Sequence, residues 1–141
     1  MAAKINYKGK TVALTGAGSG IGRALAVALA ARGANLALSD VDTAGLDDTV
    51  KLCGPAEGKI EPYRVDVADR TAVLEHAAQV ADTFGSVNMV INNAGVAIGA
   101  TIEDTSFEDL DWLLGINLHG VINGTKAFLP HLIASGDGHV V

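Results

Sequence analysis

The chain has 141 residues, 49% of them apolar but only 4% aromatic, with 17 glycines and a formal charge of −6. That length suits one domain with a core of its own, and many small apolar residues with few aromatics suit helices packed on a parallel sheet. The acidic balance excludes a non-specific nucleic-acid binder, which needs a basic footprint, and Arg23 and Arg32 interrupt the longest Ala/Leu stretch, excluding a membrane span there.

The first predicted element is TVALT (11–15), an apolar run between Lys10 and Gly16 that reads as a buried strand. From Ile21 to Ala31 the spacing turns helical, with Ile21, Leu25, Ala28 and Leu29 on one face and Gly33 as the stop. NLALS (35–39) is a second strand and TAGLDDTVKLC (43–53) a second helix, closed by Gly54-Pro55. A third strand is expected over 59–67, and Pro62, which cannot donate to a ladder, sends it to a sheet edge. Asp69 caps a helix running to Phe84, with Gly85 after it. VNMVINNAG (87–95) is a fourth strand ending in a turn, and Ser106, with Asp109 three residues on, opens a long helical region to about Ala134. GDGHVV begins a fifth strand, within which the chain ends, so the sheet is expected to be incomplete at its C-terminal end.

Strands alternating with helices imply a three-layer α/β/α domain with a doubly wound parallel sheet and right-handed crossovers. In the order 3-2-1-4-5 the third strand lies at the edge, where Pro62 belongs. No internal repeat appears. The basic start has no apolar run behind it long enough for a secretory leader, and Cys53, the single cysteine, has no internal disulfide partner. A soluble, cytoplasmic protein is therefore expected.

The chemistry centres on LTGAGSGIGRAL (14–25), with glycines at 16, 18, 20 and 22 between strand and helix. Such a turn offers free backbone N–H groups and the positive end of a helix dipole, and it suits phosphate oxygens when no Cβ blocks the approach. The bland alternative is close helix–strand packing. A P-loop fails, since Gly16 leads to Ile21 and Gly18 to Arg23, and G-x-G-x-x-G fails because position 21 is Ile. An S-adenosylmethionine site would suit Gly16-x-Gly18-x-Gly20, although Leu14 stands where such sites usually carry an acid. A methyltransferase-like protein and a non-enzymatic nucleotide-binding module thus remain the alternatives.

Thr15-Gly16-x-x-x-Gly20-x-Gly22 resembles the nucleotide turn of the short-chain dehydrogenase/reductase family. Further matches follow in order: Asp40 ending strand two, Asp66-Val67 after strand three, and NNAG (92–95) closing strand four. The resemblance implies a single NAD(P)-binding Rossmann domain over 1–141, the N-terminal part of a longer one. It also implies hydride transfer between a nicotinamide and a small alcohol or carbonyl substrate. In it Gly16, Ser19, Gly20, Ile21 and Gly22 contact the cofactor, and Asp40 accepts from the adenosine ribose, unless it merely caps the helix at 43. Asp66 and Val67 lie beside the adenine, and Asn93, Ala94 and Gly95 line the cleft, with Asn92 a brace. NAD is the expected cofactor, because Asp40 would face the 2′-phosphate of NADP and Ser19 brings no offsetting cation.

Of the catalytic set that the resemblance implies, only Asn117 is present, in GINLHG between Gly115 and Gly120, as if the helix were bent there. Its implied role is to hold a water in a proton relay. A catalytic Tyr with Lys four residues on is missing, since Tyr7 and Tyr63 are followed by Thr11 and Val67, and Ser135 precedes strand five instead of following it. The chain alone is therefore expected to bind cofactor without turnover, and its fifth strand to offer an open edge. The four histidines show no metal-ligand spacing. Cys53 reads as packing, and Trp112, Leu113, Leu114, Phe128 and Leu129 as core, with part of that surface available to pair subunits in a homo-oligomer, a dimer or tetramer.

Overall fold

The computed structural model describes residues 6–141. Five parallel strands form one sheet in the order β3-β2-β1-β4-β5: β1 (Thr11–Thr15), β2 (Asn35–Asp40), β3 (Ile60–Arg64), β4 (Met89–Ile91) and β5 (His139–Val140). The helices are α1 (Gly20–Ala30), α2 (Thr43–Cys53), α3 (Arg70–Phe84), α4 (Phe107–Leu114) and α5 (Val121–Ser135). Pro62 sits opposite Leu38 on β3, at the edge. There its missing N–H costs no ladder bond to a further strand.

Alternation along the central strands divides the core into two faces. Val12, Leu14, Leu36, Leu38, Met89 and Ile91 point to one side and pack with Ala26, Leu29 and Leu46 of α1 and α2. Ala13, Ala37 and Val90 point to the other and pack with Val73, Ala77, Val80, Phe128 and Leu132 of α3 and α5. Both faces are covered, which is why β1 reads as an unbroken apolar run rather than an alternating one. Cys53 packs against the first face, and burial raises its thiol pKa. Lys10 and Asp137 pair at 2.6 Å beside the starts of β1 and β5, and that bond holds the Asp137 carboxyl below its ordinary range.

Two expectations, strand bounds and the core list, need correction. The third strand ends at Arg64 and the fourth spans only Met89–Ile91, so Asp66-Val67 and Asn92–Gly95 lie in connections beyond the strands. The ladder stops where the neighbouring strands stop: the Val65 N–H still donates to the Asp40 carbonyl at 3.1 Å, and the chain then leaves the sheet. The irregularity expected in the long helical region between Gly115 and Gly120 is a π-helical segment joining α4 to α5. Of the apolar side chains placed in the core, Phe128 is fully buried, but Trp112, Leu114 and Leu129 are exposed at 43–50%. Local spacing could not separate them, since nothing within one helix tells which apolar side faces the sheet. Among the described residues no helix is long and apolar enough to cross a membrane.

His76 on α3 is buried edge-on between the rings of Tyr63 and Phe128, at 4.7 and 5.7 Å between centroids. Neither ring nitrogen has a hydrogen-bond partner, and burial lowers its pKa from 6.5 to about 4. A depressed folded-state value means full stability above pH 6.5 and progressive loss from there to about pH 4, the window in which only the unfolded chain readily takes up the proton. By linkage the loss between pH 7 and pH 5 is about 2 kcal/mol. Urea unfolding at the two pH values checks it. A His76→Leu variant should show a flatter profile, and an equal slope in both proteins would refute the assignment.

Candidate functional site

A cavity of about 350 Å³ opens where the carboxyl ends of the strands meet. It sits at the point where the strand order reverses, with β2 and β3 to one side of β1 and β4 and β5 to the other. Open parallel sheets take ligands at this position, because successive connections diverge there and leave a crevice. Its walls come from four strand ends and the turns after them: Gly16 and Ser19–Ile21 after β1, Asp40 at the end of β2 with Val41 after it, Val65–Val67 after β3, and Asn93–Val96 after β4. Ile116, from the π-helical segment, completes it.

The turn after β1 is shaped by backbone. Gly16 and Gly20 have φ of +67° and +52°, a region that side chains with a Cβ rarely enter. The extended Ser19 caps α1 with no side-chain hydrogen bond of its own, and no acidic residue lies in the first turn. The first-turn N–H groups have no intrahelical acceptor, so the positive end of α1 reaches the cavity with no carboxylate of its own turn set against it. Gly22 is not in the cavity wall. A Cβ there would overlap the Gly16 carbonyl oxygen, so Gly22 lets helix and turn meet.

Asn93 ties this turn to the one after β4. Its side-chain amide donates to the carbonyls of Thr15 and Gly16 at 3.1 and 3.2 Å. The Thr15 hydroxyl accepts from the N–H groups of Asn93 and Ala94, both at 3.0 Å. Thr15, 5% exposed, is thus a hub that the motif contained but whose contacts local reading could not supply.

Asp40 accepts from the Gly18 N–H at 2.9 Å and from the Asp42 N–H at 3.1 Å. The cap of α2 is Asp42, whose side chain accepts from Gly45 N–H at 3.0 Å, so Asp40 is not the cap. Asp66 turns the chain after β3 by accepting from the Ala68 N–H at 2.9 Å. The carbonyl of Val67 takes a bond from the buried Asn123 amide at 3.0 Å. Asn117 lies outside the wall and pairs with the backbone of Val96 twice, accepting from its N–H and donating to its carbonyl, each at 2.8 Å. The bend expected around it is a π-helical turn, a feature frequent at functional sites. Val65, Val96 and Ile116 are wall residues that the sequence did not single out, since an apolar residue near a strand end carries no distinguishing pattern. Tyr7 and Tyr63 pack against opposite core faces, and Ser135 donates to the Leu132 carbonyl at 2.7 Å. None of the three lines the cavity.

A doubly wound sheet with a glycine turn and carboxylates around its switch point defines a Rossmann-type α/β domain. Residues 10–141 match the family model for short chain dehydrogenases, and the chain belongs to the short-chain dehydrogenase/reductase family. It is 52% identical over 136 residues to SadH of Mycobacterium tuberculosis, an oxidoreductase by name, with 96% of this chain and 49% of SadH covered. It is 34% identical to the 3-oxoacyl-[acyl-carrier-protein] reductase FabG of Thermotoga maritima, covering 97% of this chain and 56% of that one. The crystal structure of a short chain dehydrogenase/reductase from Burkholderia phymatum in complex with NAD superposes with a TM-score of 0.91 at 35% identity, covering 97% of this chain and 49% of that chain. The chain thus spans about half the length of these relatives.

Proposed function

We propose that this chain carries the cofactor-binding part of an NAD(H)-dependent oxidoreductase acting on a small alcohol or carbonyl compound. The observation that carries the proposal is the convergence of the glycine turn, Asp40, Asp66-Val67 and Asn93–Gly95 on one cavity. The residues suit a dinucleotide: a glycine-rich turn and a helix N-terminus for the pyrophosphate, a carboxylate for ribose hydroxyls, and valines for a flat base. The NAD complex of the Burkholderia phymatum relative supports the same reading.

In this reading the amides around Ser19–Ile21 hold the pyrophosphate, and Asp40 takes the adenosine ribose while keeping its bonds to Gly18 and Asp42. Val41, Val65, Asp66 and Val67 flank the adenine, and Asn93, Ala94 and Gly95 keep water from the inner wall. Asn117 has a further lone pair and a further N–H beyond those given to Val96, enough to hold a water of a proton relay. Bound NAD supplies the hydride acceptor at its nicotinamide, and NADH the donor. The exposed Trp112, Leu118 and Leu129 favour pairing of subunits through the α4–α5 helices, and the lone cysteine favours a cytoplasmic setting.

The test is equilibrium binding. NADH titrated into the protein should give a saturable change in its fluorescence that excess NAD reverses. Binding of S-adenosylmethionine with no response to NADH would overturn the proposal.

A further inference from the structure

Arg23 follows the last glycine of the turn, and its side chain folds back beneath it. Its Nη2 donates to the Gly18 carbonyl and, at 3.3 Å, to the Gly45 carbonyl at the start of α2. Its Nε donates to the Thr49 hydroxyl at 3.1 Å. Thr49 is fully buried, and its hydroxyl lies 2.8 Å from the Ala17 carbonyl and 3.0 Å from that of Gly45. Both carbonyls at the tip of the turn are therefore held from the α2 side.

A trans peptide points its N–H opposite to its C=O. With the Ala17 carbonyl on Thr49, the Gly18 N–H is aimed the other way, where it donates to Asp40 at 2.9 Å. With the Gly18 carbonyl on Arg23, the Ser19 N–H is turned from α2, and Ser19 lines the cavity. Two successive peptide planes are set by one guanidinium and one hydroxyl, neither of which is in the cavity wall.

We infer that Arg23, seated by Thr49, is a positioning residue for the nucleotide site. It orients the 17–18 and 18–19 peptides so that one N–H locks the Asp40 carboxylate and the other faces the ligand. The inference rests on the nucleotide reading above and adds a specificity role to it. Without the brace the Gly18 and Ser19 peptides can rotate, Asp40 loses its fixed donor, and discrimination between a ribose hydroxyl and a 2′-phosphate weakens.

The experiment compares Arg23→Leu, Arg23→Lys and Thr49→Val with the parent protein in NADH and NADPH titrations. Amide exchange at Gly18 is followed by NMR without nucleotide. Leu46→Ala, a core change in α2, controls for general loss of stability. Arg23→Leu should weaken NADH about tenfold, narrow the NADH-over-NADPH preference at least threefold and speed Gly18 exchange. Thr49→Val should move all three the same way by less, and Arg23→Lys should restore part of each. Equal weakening of both nucleotides with unchanged Gly18 exchange would overturn the inference, as would the same narrowing in Leu46→Ala. If the parent binds no NADH, the nucleotide reading fails by itself. Gly18 exchange then still decides the brace: faster in Arg23→Leu supports it, and unchanged refutes it.

Discussion

Replacing Gly22 by valine should lower stability by about 4 kcal/mol, beyond the usual range for an overpacked site, because the collision is with backbone. The opposite expectation follows from helix propensity alone. Gly22 lies in the first turn of α1, where a glycine is worth about 1 kcal/mol less than alanine. The close approach decides the sign. A Cβ at Gly22 would overlap the Gly16 carbonyl oxygen, which is backbone, and come 2.8 Å from the Asn93 side-chain nitrogen, which its bonds to the Thr15 and Gly16 carbonyls hold in place. Relief requires α1 to move away from β1, which also opens the core around Ala26 and Leu29. Thermal unfolding should fall by roughly 15 °C for such a loss in a domain of this size. Gly20→Ala is the contrasting case. A Cβ there meets nothing within 4 Å, so the cost is the strain of φ +52°, about 1 kcal/mol, while the new methyl group intrudes on the cavity. It should lose NADH binding with most of its stability intact. A Gly22→Val protein as stable as the parent would refute the packing of α1 on the turn.

The second large effect concerns cofactor choice. Asp40 spends part of each carboxylate oxygen on the Gly18 and Asp42 N–H groups, and each oxygen retains capacity for a ribose hydroxyl. A 2′-phosphate in the same place would bring like charges to about 4 Å, a repulsion of about 4 kcal/mol at an effective dielectric near 20. Solvent reduces that figure, and a preference for NADH over NADPH of tenfold or more should remain. Asp40→Ser should narrow the gap. Adding Val41→Arg, at a half-exposed position in the same wall, should place a guanidinium where the phosphate sits and reverse the preference, a swing of about a hundredfold. Paired titrations of the two nucleotides measure it. Tighter NADPH than NADH binding by the parent would show that Asp40 does not face the ribose.

The alternation of strands and helices, the caps at Asp69 and Ser106 and the edge position of β3 were legible in the sequence. Each rests on contacts within a few residues: Asp69 accepts from the N–H of Ala72, Ser106 from that of Asp109, and Pro62 excludes a ladder bond by its own chemistry. The glycine turn was legible for the same reason, since a missing Cβ and a positive φ are properties of single residues. Four segments far apart in the chain could also be assigned to one cleft, because parallel connectivity sends every strand-to-helix turn to the same edge of the sheet. Tertiary structure alone decided which side chains meet there. Arg23 reaches Gly45 and Thr49, Asn93 fastens to Thr15, Asn117 closes on Val96, and Trp112 faces outward while Phe128 is sealed in. All but one of these are contacts between elements brought together by packing, and the exposure of Trp112 depends on how α4 sits against the sheet. Periodicity and capping report the local backbone, whereas the partner of a long polar or apolar side chain depends on how two faces settle against each other.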